Sequence, residues 1–416
     1  MNGRRGFFEL LVLGGCAFIL SKAMLSFLLP PVETPTEGNP EWRFILSLSY
    51  LGVVLVLLPR YRESISVLRD NWCLVALLLL ALLSSYWAEM PDLALRKSIG
   101  LFGTTMLGIA LAVRLSFKDQ LRVLSLLFRI IAVLSVACIV FLPSYGVSDD
   151  GQWMGVFEHK NALGSIMGLS LLVEWLLPAV SGISKTLRFC AFLLSAVLLF
   201  YADSVTPVIA LVGALVLIEI YKFAVLSLRI SLPAIFVGMS VIVVGGIATM
   251  VANGDAVMKA VGRSANLTGR TAIWSLVASF IPSRPILGYG YAGFWLGASP
   301  ESTAVNRFMG SLVMYSHNGY LETLLTLGAA GLLLTLIFLG TGLKRAVCFS
   351  EYPQNGVELW PLAFLFYFIL HNIGESTILI QDLEWAVCVS CVAGTDPKLL
   401  SFHAQQEEFP LVSIEA

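Results

Sequence analysis

Runs of about 20 apolar residues recur along most of this 416-residue chain, and that is the length a helix needs to cross the hydrocarbon core of a bilayer. The breaks between them are short and polar. The runs do not alternate apolar with polar residues as the strands of a closed barrel would, so an all-α polytopic membrane protein with roughly 10–12 transmembrane helices is expected. Hydrophobic residues make up 57% of the chain and charged ones 13%, with a mean hydropathy of +0.85, outside the range of a soluble domain. The net charge of −1, without a basic tail or patch, argues against nucleic acid as a partner.

The expected spans are Phe7–Leu29, Arg43–Leu58, Trp72–Ala88, Ile99–Val113, Val123–Leu142, Asn161–Leu177, Phe189–Ala202, Val205–Tyr221, Leu232–Ala252, Gly319–Leu343, Leu359–Asn372 and a weak last one, Trp385–Gly394. Gly3-Arg4-Arg5-Gly6 faintly echoes a twin-arginine export signal, but no small-residue cleavage site follows, so it reads as an uncleaved first helix. With the N-terminus inside, the inner loops collect most lysines and arginines, while the short outer loops hold only Arg43, Arg96, Lys97 and Lys160. This divides the chain into N-terminal helices (1–252, with an outer loop at 143–160), a long outer loop (253–316), C-terminal helices (317–397) and an inner tail (398–416). The long loop is too polar for a simple connector and is where chemistry is expected. Within it, Thr271–Ile281 reads as a short helix capped by Thr268 and ended by Pro282 and Pro285. No internal repeat is evident, which weighs against an inverted-repeat transporter.

Several motifs have ordinary readings. Gly288-Tyr-Gly290-Tyr-Ala-Gly293 fits a dinucleotide-binding pattern by letter, yet no strand–helix unit surrounds it, so it reads as a glycine-hinged loop. Gly164 and Gly168 have the spacing of close helix packing. Cys388 and Cys391 lie in an apolar run and read as core, and the seven cysteines form no disulfide framework. Asp149-Asp150 is a weak metal candidate, since adjacent residues rarely converge on one ion, and no metal or cofactor is expected. Lys22, Arg129 and Glu174 fall inside spans, where a charge costs about 2.5–3.5 kcal/mol. Lys22 and Arg129 can snorkel; Glu174 is equally open to a structural and a functional partner.

His159 and His317 are the informative histidines, because both fall at the outer membrane surface ahead of an apolar span. A helix cap is the competing reading for each. His371 reads as a hydrogen-bonded packing residue and His403 lies in the polar tail. Among the loop arginines Arg263, Arg270, Arg284 and Arg307, Arg270 stands at a helix start, where backbone N–H groups and its fork suit a diphosphate.

Four segments in order carry a resemblance: Gly155-Val-Phe-Glu-His159-Lys160-Asn161-Ala-Leu-Gly164, Leu267-Thr-Gly-Arg270-Thr-Ala-Ile-Trp274, Gly288-Tyr-Gly290, and His317-Asn318-Gly-Tyr-Leu-Glu322 followed by Leu327-Gly328. Together they resemble the O-antigen ligase and polymerase superfamily, and Asn372-Ile-Gly-Glu375 resembles its exopolysaccharide polymerase branch. The likeness runs from about Gly155 to Trp385. It implies an inverting, metal-independent glycosyltransferase at the periplasmic face of a bacterial inner membrane, acting on undecaprenyl-diphosphate-linked oligosaccharide and a glycan acceptor among membrane lipids, alongside other polysaccharide export and chain-length proteins. It makes His317 the general base and Arg270 a diphosphate contact, with His159, Lys160, Asn161, Arg284, Asn318, Glu322 and Glu375 as substrate contacts. One departure stands out: where many relatives carry a basic residue, this chain has Val205, so Arg284 or Lys160 must substitute or the site works differently. Polymerase and ligase share this donor chemistry. A lipid-linked glycan transporter, or a non-catalytic assembly partner, remains the alternative of another class.

Overall fold

A computed structural model of the chain describes residues 3–29, 39–178, 182–227, 238, 245, 270–295, 299–310, 312–350 and 356–408. The expected span at 232–252, apart from two isolated glycines, and the expected Thr268 cap and Arg263 lie outside the described residues. The described chain is helical, with one isolated bridge between Val147 and Trp153. In order the α-helices longer than a single turn are α1 (Gly3–Leu20), α2 (Pro40–Leu57), α3 (Tyr61–Asp70), α4 (Trp72–Leu83), α5 (Pro91–Arg114), α6 (Phe117–Phe141), α7 (Lys160–Leu176), α8 (Gly182–Ala202), α9 (Val205–Lys222), α10 (Arg270–Phe280), α11 (Pro300–Met309), α12 (Gly319–Phe349), α13 (Trp360–His371), α14 (Leu383–Gly394) and α15 (Pro397–Glu408). Among the described residues five helical stretches are long and apolar enough to cross a membrane, and four shorter apolar helices accompany them. The chain is a multi-pass membrane protein.

Large apolar side chains such as Leu48, Leu51, Phe102, Leu126, Val133 and Leu336 are exposed on the outside of the bundle, where lipid rather than water is their solvent. The interior is built around α14, every residue of which is buried. At 12 residues it is about 18 Å long, too short to cross the bilayer alone. Enclosed by α5, α12 and α13, it needs no lipid-facing length, which explains why it reads as the weakest span. Its cysteines, Cys388 and Cys391, are buried free thiols.

Glycine sets several of the close approaches. A side chain at Gly164 would run into Ser204 and Pro207, and one at Gly168 into Tyr367 and Pro207, so this pair draws α7 against α9 and α13 as its spacing indicates. Buried charge is paired: Arg129 on α6 grips Glu174 on α7 through Nε (2.9 Å) and Nη2 (2.7 Å), while Ser125 Oγ donates to the same carboxylate at 2.7 Å. Glu174 is therefore a structural partner of Arg129. His371 is fully buried between Ser165 Oγ (3.1 Å) and Glu384 Oε2 (2.9 Å), a hydrogen-bonded packing residue.

Helix α12 is broken at Gly328, whose φ of 66° and ψ of −167° are closed to side-chain-bearing residues. A break inside a span frees backbone groups that lipid cannot satisfy. Here the Pro285–Gly290 loop takes them up: Tyr289 N donates to Leu325 O (3.0 Å) and Gly290 N to Thr326 O (2.9 Å), while Ala329 N and Ala330 N donate to Pro285 O (2.8 Å) and Ile286 O (3.1 Å). The Gly-Tyr-Gly loop is thus a backbone plug for a discontinuous helix. Around it Ile273, Val277, Tyr289, Phe294, Trp295, Val305, Val313 and Leu325 form a small second core that fastens α10 and α11 to the end of α12.

Candidate functional site

Helix α10 begins at Arg270 and ends in a turn at Ile281–Ser283, close to the expected Thr271–Ile281. Its first side chain is 7% exposed, and a guanidinium that deep must be satisfied by protein. Arg270 Nη2 donates to Glu375 Oε1 at 2.6 Å, and Nη1 donates to Thr206 Oγ1 at 3.0 Å and to the Gly374 carbonyl. A side chain at Gly374 would meet Thr206 and this guanidinium, so the residue must stay small. Three elements far apart in sequence, the start of α9, the start of α10 and the connection between α13 and α14, meet at this one side chain.

The opposite oxygen of the same carboxylate faces His317: Glu375 Oε2 lies 3.5 Å from Nδ1. That nitrogen is buried and has no hydrogen-bond partner among the described residues, although the imidazole as a whole is a quarter exposed. The backbone at His317 is left-handed, with φ 54°, a strained conformation for a side-chain-bearing residue. Its neighbours hold it there. Trp274 Nε1 donates to Ser316 O (2.9 Å), Ser316 N donates to Glu322 Oε2 (2.8 Å), and Trp295 Nε1 donates to Glu322 Oε1 (2.7 Å). Asn318, the N-cap of α12, accepts from Tyr320 N and Leu321 N and donates to Ile373 O (3.1 Å). Gly319 N donates to both Asn372 O and Glu375 O at 2.9 Å, locking the His317 turn to the α13–α14 connection.

Electrostatics follow from this geometry. Burial favours the neutral acid at Glu375, but the adjacent His317 and Arg270 favour the anion more strongly, and the carboxyl is held down at about 2. Tyr315, whose ring packs 4.4 Å from that of His317, has its hydroxyl pushed up to about 12 by burial and by Glu375, so it stays protonated.

The remaining sequence candidates fall in two groups. His159 sits at the N-cap position of α7 but is exposed and makes no side-chain cap. Lys160 Nζ donates to the Asp203 carbonyl at 3.4 Å and lies 3.8 Å from its carboxylate, and Ser204 Oγ donates to Asn161 Oδ1 at 3.2 Å. The segment containing Val205 is thereby stitched to the His-Lys-Asn motif on one side and, through Thr206, to Arg270 on the other. Arg284 is held elsewhere: it donates to Trp87 O at 3.2 Å and stacks 4.8 Å over the Tyr289 ring. Thr206 and Gly374 escaped sequence reasoning because neither residue type signals a guanidinium partner. Glu375 could have been paired with Arg270 from charge alone, since a buried arginine demands a carboxylate.

The arrangement places a nearly buried cation, a partly exposed imidazole and an anion between them at one end of the helix bundle. Residues 190–336, from within α8 through the break in α12, match the family model for O-antigen ligase. That stretch holds Thr206, Arg270, Arg284, His317, Asn318 and Glu322, while His159 and Glu375 lie beyond it. The exopolysaccharide production protein ExoQ of Rhizobium meliloti (strain 1021) is 26% identical over 344 residues, covering 77% of this chain and 76% of that protein. By motif order, by the matched 190–336 region and by a likeness that spans most of both chains, this membrane protein is similar to the O-antigen ligases and to an exopolysaccharide production protein.

Proposed function

We propose that the chain is a glycosyltransferase joining undecaprenyl-diphosphate-linked oligosaccharide units into a surface polysaccharide, working at the periplasmic face of a bacterial inner membrane. The observation that carries it is the shared carboxylate of Glu375, which sets His317 and Arg270 beside each other. With Nδ1 turned to a carboxylate, the imidazole proton rests there and Nε2 keeps the lone pair that accepts a proton from an attacking sugar hydroxyl. A single displacement at the anomeric carbon inverts it and releases a diphosphate. Arg270 stabilises the developing charge in a site partly closed to water, where such contacts count more. In the free chain Glu375 occupies the position on the guanidinium that a phosphate would share or take over. Lys160, beside Asp203, supplies a second cation near the segment where Val205 supplies none. The Glu375 motif and the likeness to an exopolysaccharide production protein favour polymerase over ligase.

The test is reconstituted protein supplied with purified lipid-linked oligosaccharide. Longer glycans are expected from the wild type and none from His317→Ala, while Arg270→Lys, which keeps the charge but loses the fork, is expected to slow transfer by roughly 10²–10³. Translocation without new glycosidic bonds would make the chain a carrier instead, and undiminished product from His317→Ala would remove the imidazole from the mechanism.

A further inference from the structure

Exposed aromatic rings such as Tyr86 and Phe141 stand at the ends of spans, where the lipid headgroup layer accounts for them. Tyr315 differs in what it touches. It is 37% exposed, and the centroid of its ring lies 4.4 Å from that of His317, with the two planes tilted by 59°. One flank of the tyrosine rests against the imidazole and much of the remainder is open.

The segment between α11 and α12 is tied down on both sides of this ring. Ahead of it, Val313 N donates to Asn306 Oδ1 at 2.9 Å, and the Val313 side chain enters the second core. After it, Ser316 is fully buried: its N–H donates to Glu322, its carbonyl accepts from Trp274 Nε1, and its Oγ donates to Asn318 O at 3.0 Å. Between these anchors Met314 and Tyr315 are exposed. A large ring held open on an anchored segment costs a ligand little further ordering when it binds. The hydroxyl is the enclosed end. Burial and Glu375 push it up to about 12, so it is protonated and able to donate to a sugar oxygen as well as to accept.

The C–H face of a sugar ring is weakly positive and poorly hydrated, while the face of a phenol is apolar and negative, so the two stack with the sugar hydroxyls at the rim. General-base catalysis requires the attacking hydroxyl within about 3 Å of the nitrogen that takes its proton. Because the imidazole adjoins the tyrosine ring, a sugar seated on Tyr315 brings its rim to His317. Arg270, which meets the donor's diphosphate, stands on the other side of the Glu375 carboxylate from His317. We propose that Tyr315 is the platform for the acceptor sugar, the one whose hydroxyl attacks, and that it selects for an acceptor with an unobstructed C–H face. This rests on the transferase reading.

Oligosaccharide released from the purified lipid-linked donor serves as a lipid-free acceptor for the reconstituted protein, titrated at saturating donor. Its binding to the full chain in detergent is followed separately by saturation-transfer NMR. Tyr315→Leu keeps apolar bulk beside His317 but removes the aromatic face. It is expected to raise the acceptor KM and weaken oligosaccharide binding about threefold to tenfold, with kcat and the donor KM within about twofold of wild type. Tyr315→Phe, which keeps the face, should bring both quantities back towards wild type. A fall in kcat with an unchanged acceptor KM would make the ring a packing support for the imidazole and overturn the proposal. A rise confined to the donor KM, or a loss in Tyr315→Phe equal to that in Tyr315→Leu, overturns it too. A leucine variant indistinguishable from wild type would return Tyr315 to the headgroup layer. Wild-type protein that makes no new glycosidic bond removes the transferase reading, and binding then decides the platform by itself: oligosaccharide held less tightly by Tyr315→Leu supports it, and oligosaccharide held equally by both proteins, or by neither, overturns it.

Discussion

Arg270 Nη2 lies 2.6 Å from Glu375 Oε1, and the other oxygen of that carboxylate lies 3.5 Å from His317 Nδ1, so one side chain stands between a guanidinium and an imidazole. Glu375 neutralises a buried guanidinium, sets a negative charge beside the imidazole, and through its backbone carbonyl accepts from Gly319 N to hold the turn.

Glu375→Gln keeps an acceptor for Arg270 but removes the charge. Transfer by reconstituted protein is expected to fall steeply. Stability gives an independent reading with a defined sign: the carboxyl is lowered from 4.5 to about 2 on folding, so its contribution is complete above about 4.5 and is lost as pH falls from there through about 2. Thermal unfolding in detergent should therefore show wild type losing its advantage over Glu375→Gln as pH drops from about 6 to about 3. Parallel curves would mean that the pair does not hold the carboxylate ionised.

Gly328→Val forces a branched residue into a backbone region open only to glycine, at a cost of about 1–3 kcal/mol, and drives its side chain into the Ile286 carbonyl. Lower thermal stability is expected, together with faster proteolysis in the Pro285–Gly290 loop. Gly340→Val, on the same helix with open space around it, serves as the control and should change little.

Arg129→Ala or Glu174→Ala strands one buried charge and should destabilise by about 3–5 kcal/mol, whereas replacing both with leucine should be close to neutral. A double-mutant cycle on thermal stability measures the coupling. Comparable losses in the single and double variants would show that each side chain matters for packing rather than for the pair.

Length and apolarity in the sequence were enough for the apolar helices among the described residues, because the hydrocarbon layer imposes its own dimensions on any chain that crosses it. Helix ends were less legible. Helix α5 extends eight residues ahead of its expected start at Ile99, because Pro91 opens the helix and Arg96 and Lys97 ride on its outer turns. The break in α12 was visible only as a glycine after a leucine; its meaning depends on a loop some forty residues earlier that supplies the missing hydrogen bonds.

Residue type and position marked His317 and Arg270 as chemistry-bearing, since ionisable groups at a membrane surface are few and costly to keep, while Glu375 was marked only by the resemblance of its segment. Only the tertiary structure decided that they meet, that Thr206, next to Val205, and Gly374, next to Glu375, complete the guanidinium's partners, and that Arg284 is held by Trp87 and Tyr289 instead. The physical reason is the bilayer itself. It dictates length and apolarity locally, residue by residue, but leaves the lateral order of the helices to packing, and that order determines which loops share a face and which charges find each other.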